Sequence, residues 1–163
     1  QTVAFSGYVD IDKFNANNTA SQKLYEKIAN DLGVNYLTWD EMKGLSGDAL
    51  ENAFVNNDKI LKIASTQKQE INANYPLVNV SDFVNHIDFM VKKMGVEHVG
   101  ISSDFDGGGG ISGWNDASET FNITYELVRR GYSEEDIAKL WGLNLLRVMT
   151  QVEEVSKKMQ RSK

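Results

Sequence analysis

Cysteine is absent from the 163 residues, which rules out disulfides and thiolate metal centres. Histidine occurs only at positions 86 and 98, so a metal site built from this sequence alone has few nitrogen ligands to draw on. Proline occurs once, at Pro76. No apolar run approaches the roughly 20 residues that cross a bilayer, so no transmembrane segment is expected in this chain. Positive charge is also in short supply. Lys and Arg total 17 against 23 Asp and Glu, giving a net charge of -6 and a pI of about 4.9. That balance excludes the electrostatic footprint of a nucleic-acid binder. The one basic run, residues 157–163, reads as a solvated helix end whose cations suit the helix dipole. No signal peptide is visible. The sequence opens on Gln1 and passes straight into Thr2-Val3-Ala4-Phe5-Ser6, which predicts a mature or truncated start and leaves the compartment open.

What is present describes a folded protein. The chain is 41% hydrophobic and 25% charged, too apolar for disorder, and its length suits one domain. Residues 1–9 read as a strand with Val3, Phe5 and Val9 as apolar members. Asn15, Asn17 and Asn18 have loop composition. Thr19 and Gln22 form a capping-box pattern ahead of Leu24, Ile28 and Leu32, and Gly33 stops that helix. Thr38 and Glu41 open a short helix. A longer helical stretch runs from Ser46 through Leu50, Phe54, Leu61 and Ile71, with Asn56-Asn57-Asp58 as a break point. Ser81 caps the clearest helix, whose stripe is Phe83, Val84, Ile87, Met90, Val91 and Met94. Residues 96–103 read as the second strand, followed by a glycine-rich loop over 104–116. Helices then follow from Ser118, from the Ser133 cap, and through Leu145, Val148, Met149, Val152 and Val155.

The order β, helices, β, helices implies parallel strands joined by crossovers, hence an α/β fold. Two strands do not make a stable sheet on their own. The chain therefore reads as one arc of a larger α/β fold, with the missing part expected before residue 1.

The chemistry concentrates at Val99-Gly100-Ile101-Ser102-Ser103-Asp104-Phe105-Asp106-Gly107 and the three glycines after it. A strand that delivers carboxylates to a glycine turn at its C-terminal end has the layout of an α/β active-site edge. Asp104 and Asp106 face one side only if strand geometry persists through them. Carboxylates before glycine are also common turn and cap residues, and both readings stand. A metal shared by Asp104 and His98 fails on distance, since an unbroken strand puts about 20 Å between them. His86 sits beside an apolar helical stripe and reads as a helix histidine rather than a ligand. An EF-hand loop starting at Asp104 has Gly108 and Asn115 at its fifth and twelfth positions, where oxygen ligands are required. Gly108, Gly110 and Gly113 match a dinucleotide fingerprint, but Asp104, Asp106 and Asp116 would repel a pyrophosphate. The non-catalytic alternative is a binding module using the 107–110 glycine loop for a phosphate or nucleotide. Trp114, Trp39 and Tyr8 either line a pocket or belong to the core.

Four segments carry a family resemblance: His86-Ile87-Asp88; Gly95-Val96-Glu97-His98 running on to Gly107; Arg129-Arg130-Gly131-Tyr132-Ser133-Glu134-Glu135-Asp136-Ile137; and Asn144-Leu145-Leu146-Arg147-Val148. In order and spacing they resemble the C-terminal part of the membrane (renal) dipeptidase family of zinc peptidases, family M19. The resemblance spans residues 79–155 well and 1–9 loosely. It implies the C-terminal portion of a (β/α)8 TIM barrel, with the last two strands and their flanking helices; a helical insertion over 14–76 between those strands is a departure from the family. Such an insertion is longer than an ordinary crossover and is expected to cover the mouth of the site or form an oligomer contact. The resemblance further implies two zinc ions and a bridging hydroxide that attacks the peptide bond of a dipeptide substrate. The aspartate that takes the proton and passes it to the leaving amine falls on Asp104. Asp106, Gly107 and Tyr8 are the expected substrate-binding rim. The family's zinc ligands fall before residue 1, so none is expected in this chain. The expected partners are the N-terminal part of the same barrel and a second copy of the chain, as a homo-oligomer. Alone, the chain is expected to be inactive.

Overall fold

In the computed structural model, which describes residues 2–161, two short strands pair in parallel. Strand β1 is Thr2–Val3 and β2 is Ile101–Ser102, in the register Thr2 with Ile101 and Val3 with Ser102. The chain divides into two units, one of residues 1–11 and 78–163 and the other of residues 12–77. The structure is mostly helical with few strands.

Both strands are shorter than their composition predicts. After Ala4 donates to the Ser102 carbonyl at 3.2 Å, the chain turns. Tyr8 and Val9 N–H groups donate back to the Phe5 carbonyl, forming helix α1, Ser6–Val9. Phe5 pairs instead with Gly110, so a glycine loop takes the place of a third ladder rung. The apolar alternation at Val3, Phe5 and Val9 therefore does not make one strand (Gln1 lies outside the described residues). Residues 96–103 also differ from expectation. Gly95 adopts φ 84°, a left-handed value that glycine accepts without a Cβ penalty, and Val96–His98 then forms a 3-10 turn. Pairing starts only past Val99, and the end-to-end separation argued for an unbroken strand no longer applies.

Helix α6, Val80–Met94, shows the clearest local logic. Asn79, not Ser81, is its cap. The Asn79 Oδ1 accepts from Ser81 and Asp82 N–H groups, and Asp82 Oδ2 accepts from the Asn79 N–H, a reciprocal capping box. Its buried stripe of Phe83, Val84 and Ile87 meets Ile123 and Leu127 of helix α7, Thr120–Arg129. Helix α8, Glu134–Ala138, begins at the expected Ser133 cap, whose Oγ accepts from the Asp136 N–H. A π-helical stretch, Lys139–Leu143, leads into helix α9, Asn144–Arg161. The core of this unit also holds Ala4, Val99, Ile101, Ile111, Trp114 and Leu140. Trp114 is its hub, with Phe83 and Phe105 rings at 5.4 Å and Trp141 at 6.0 Å. Trp114 is thus core rather than pocket lining. The apolar stripe of α9 is largely exposed, from Val148 at 45% to Met159 at 67%; the last two basic-run residues, 162 and 163, lie outside the described ones.

The second unit corrects the asparagine reading. Helix α2, Ile11–Leu32, runs straight through Asn15, Asn17, Asn18 and Thr19. Asparagine is a poor helix former because its amide competes for backbone. Here Asn17 is buried and its amide donates to Asn72 Oδ1 and the Tyr75 carbonyl, so tertiary partners remove that competition. Helix α4, Gly47–Ser65, likewise continues through 56–58. Asn57 accepts from the Leu37 N–H and donates to the Leu37 carbonyl, fixing the segment ahead of helix α3, Trp39–Met42. The Thr38 and Glu41 capping box forms as expected. Helix α5, Lys68–Asn74, completes the unit, whose core is Tyr25, Ile28, Ala29, Ile60 and Ala64. Trp39 belongs to this unit and is 65% exposed.

Candidate active site

Asp104 is the only non-glycine residue with positive φ among those described, at φ 56° and ψ 38°. Aspartate tolerates this left-handed region better than most residues, though at some cost. The turn after it holds that conformation. Gly107 and Gly109 both donate to the Asp104 carbonyl, at 3.0 and 2.7 Å. A Cβ on Gly109 would lie 2.0 Å from the Ser103 carbonyl oxygen, and one on Gly107 would lie 2.6 Å from Asp104 Oδ1. The contact at Gly109 is with backbone and admits no side chain, whereas that at Gly107 is with the Asp104 carboxylate, which a Cβ would displace. The carboxylate of Asp104 therefore rests over the bare face of Gly107, on an exposed residue. Among the described residues no hydrogen bond or ion pair engages it. A carboxylate without a protein partner at a strand's C-terminal end is available to a ligand or a proton.

The loop is anchored beneath this point. Gly110 donates to the Ala4 carbonyl at 2.9 Å, Ser6 Oγ donates to the Gly110 carbonyl, and Phe105 packs edge-on to buried Trp114. The loops after the two parallel strands thus lie side by side, where α/β enzymes place their chemistry. Tyr8 comes from the β1 side and is 78% exposed. Its ring meets Phe5 edge-on at 5.7 Å, and Phe5 in turn packs against Gly108. Phe5, expected only as a strand residue, is the link that joins Tyr8 to the glycine loop. Asp106 is exposed but lies in a 3-10 turn, Phe105–Gly107. Strand β2 ends at Ser102 and Asp104 is already left-handed, so the two acids are not carried to one face by strand periodicity.

The glycine loop is unsuited to phosphate. Amides of Gly107, Gly108, Gly109 and Gly110 donate to the carbonyls of Asp104, Phe105, Asp104 and Ala4. Donors spent inside the loop do not cradle an anion, and two carboxylates stand at its entrance. Nothing supports the phosphate-binding alternative. His86 is half-buried on α6, and His98 is exposed at the far end of β2. Among the described residues no group of three or more histidine, aspartate or glutamate side chains is placed to hold a metal ion.

A second polar cluster lies between α6 and α7. Arg130 donates to Asp88 Oδ2 at 2.6 Å, to Glu126 Oε1 at 2.8 Å, to Asn85 Oδ1, and to the carbonyl and hydroxyl of Ser81. Arg129 grips Glu126 with two bonds of 2.7 Å, and the Tyr132 hydroxyl donates to Asp88 at 2.7 Å. The Arg129 hydrogen bonds, then that of Arg130, pull the Glu126 carboxyl to about 2 against the opposing push of burial. Burial, then the bond to Asp88, pushes the Tyr132 hydroxyl up. Every charge here is spent on a neighbour, so the cluster braces the helices rather than awaiting a ligand.

The fold and the site are thus a short parallel strand pair, helices around it and an exposed carboxylate just past one strand. The sequence profile of the membrane dipeptidase family, peptidase family M19, matches residues 31–163, and the chain belongs to that family. Dipeptidase ataJ of Aspergillus terreus is 49% identical over 77 residues, covering 47% of this chain and 19% of that protein. Dipeptidase verJ of Clonostachys rogersoniana is 48% identical over 84 residues, covering 51% and 21%. A crystal structure of the probable dipeptidase PvdM from Pseudomonas aeruginosa aligns with a TM-score of 0.50 at 33% identity, covering 89% of this chain and 34% of that one. The chain thus spans about a fifth of the curated relatives it matches and a third of the solved structure.

Proposed function

We propose that this chain supplies the proton-handling edge of a dipeptidase, as the C-terminal portion of a (β/α)8 barrel completed by polypeptide outside these 163 residues. The observation that carries the reading is Asp104, an exposed carboxylate without a partner among the described residues, two residues past β2 in a turn whose Gly109 has no room for a side chain. The family membership supports hydrolysis of a dipeptide, and the parallel strand pair supports the barrel.

In this reading Asp104 accepts a proton from the attacking water at one carboxylate oxygen. It then donates that proton to the leaving amine nitrogen, so that the acid returns to its starting charge. Asp106, Gly107 and Tyr8 form the rim against which the dipeptide lies, with Phe5 holding Tyr8 in place. Two zinc ions, which the family resemblance implies, would polarise the peptide carbonyl. The family resemblance puts the ligands of those ions outside this chain, and the chain alone is expected to be inactive. The exposed apolar stripe of α9 is read as surface that the rest of the same fold covers.

An Asp104→Asn exchange in the complete enzyme is expected to lower turnover of dipeptides about 100-fold or more, the usual yield of general acid–base help. Asparagine also accepts the left-handed conformation, so the fold should persist. Near-normal hydrolysis in that variant would refute the assignment.

A further inference from the structure

Strand β2 holds Asp104 through only two ladder positions. Two rungs leave the reach of a strand poorly fixed along its own axis, so another element must set it. The backbone that feeds β2, residues 96–99, is gripped by the start of α9. The Asn144 amide, in a residue only 7% exposed, donates to the carbonyls of Val96 at 2.7 Å and Val99 at 2.9 Å. One turn on, Arg147 Nη2 donates to the Glu97 carbonyl at 2.7 Å. Lys139, in the π-helical stretch just before α9, reaches the Glu97 carboxylate at 2.8 Å. Three carbonyls of four consecutive residues are thus taken by two side chains on one helical face. The Val96 carbonyl also accepts the Val99 N–H of the 3-10 turn at 3.3 Å, a long bond that the Asn144 amide reinforces. The Asn-x-x-Arg spacing puts both side chains one turn apart on one face of the helix.

We propose that Asn144, seconded by Arg147, is a positioning residue for Asp104. By fastening the turn that precedes β2, it sets how far the strand carries the carboxylate toward the substrate. The inference rests on the reading of Asp104 as the proton carrier.

The test is a double-mutant cycle in the complete enzyme, using Asn144→Asp with and without Asp104→Asn. Aspartate keeps the size of Asn144 but loses both N–H donors and turns a charge toward two carbonyls. With Asp104 present, kcat is expected to fall about 30-fold with little change in KM, the scale of a small misplacement of a catalytic group. With Asn at 104, the same exchange is expected to change the residual rate less than about twofold, because groups acting as one unit are not additive. Should Asn144→Asp prove too unstable, Arg147→Ala takes its place; it removes the Glu97 carbonyl contact and a long, exposed bond to Gln151, with an expected fall of about threefold.

A second arm follows amide exchange in the same complete enzyme. Asn144→Asp should speed amide exchange at Gly107 and Gly109, both bonded to the Asp104 carbonyl, about tenfold while Ile87 and Leu127 stay protected. Equal losses of kcat in both Asp104 backgrounds, or an unchanged kcat beside an inactive Asp104→Asn, would overturn the positioning role alone. Exchange that rises equally throughout the core would overturn it as well. Full turnover in Asp104→Asn would overturn the proton-carrier reading, and the inference with it.

Discussion

Asp104 and Glu126 are both carboxylates of one unit, and the structure treats them in opposite ways. Glu126 is 7% exposed and bound by two arginines. Asp104 is exposed and engages no partner among the described residues. Glu126 sits inside a regular helix. Asp104 follows its strand in a left-handed conformation, with Gly109 folded back so closely that a Cβ there would strike the Ser103 carbonyl oxygen. A carboxylate whose lone pairs are spent on arginine is fixed in charge and contributes to folding. A carboxylate held in a costly conformation and left without a partner is placed for something the chain does not itself provide. The comparison separates two jobs within motifs that look alike in sequence. His86-Ile87-Asp88 and Arg129 to Ile137 build the brace. Ser103 to Gly109 builds the edge.

The comparison is broken most severely at Gly109. Gly109→Ala places a Cβ 2.0 Å from the Ser103 carbonyl oxygen, so the turn must reopen. We expect turnover to fall about 100-fold through misplacement of Asp104, together with about 2 kcal/mol of lost stability. Kinetics paired with urea unfolding read both. On the brace side, Glu126→Gln removes the carboxylate that Arg129 grips and leaves Arg130 with Asp88 alone. It should cost about 2 kcal/mol, seen as a lower urea midpoint, while turnover per folded molecule stays near that of the parent.

The brace also predicts an acid limb. Glu126 titrates near 2 when folded, against an ordinary value of 4.5. Its folded affinity for protons is the lower one, so its contribution is complete above about pH 4.5 and drains as pH falls toward 2. Melting temperature should decline over that window, and the decline should be shallower in Glu126→Gln. The smallest expected effect is at Asp106. It is exposed and lies outside the strand, so Asp106→Asn should move stability by less than about 0.5 kcal/mol. As a rim residue it should raise KM about threefold with kcat unchanged.

The sequence made the site's position legible and its shape illegible. A strand ending in Asp104 ahead of four glycines signals an α/β edge, and the parallel pairing of Thr2 with Ile101 agrees with it. The left-handed turn at Asp104 is not readable in the sequence, because the packing that accompanies it, Gly109 folded back onto the backbone of residues 103 and 104, exists only in the fold. The strand lengths failed for a related reason. Apolar alternation at Val3, Phe5 and Val9 carries no information about whether a neighbour is there to pair with, and beyond Ala4 that neighbour is Gly110. Asn17 and Asn57 misled because local propensity is outweighed when a buried amide finds tertiary partners. The brace was partly visible as motif spacing, yet which arginine meets which acid across 42 residues is set by helix packing. Asn144 and Arg147 carried a usable signal in their one-turn spacing, but their target at 96–99 appears only in the fold.

The most direct measurement sets dipeptide turnover beside melting temperature for Asp104→Asn and Glu126→Gln in the complete enzyme. The account predicts a crossing pattern. Asp104→Asn loses about 100-fold or more in turnover at a nearly unchanged melting temperature, whereas Glu126→Gln loses several degrees and keeps its turnover. If Asp104→Asn hydrolyses dipeptides at close to the parent rate, or loses activity only in step with its folded fraction, the assignment of Asp104 as the proton carrier is wrong.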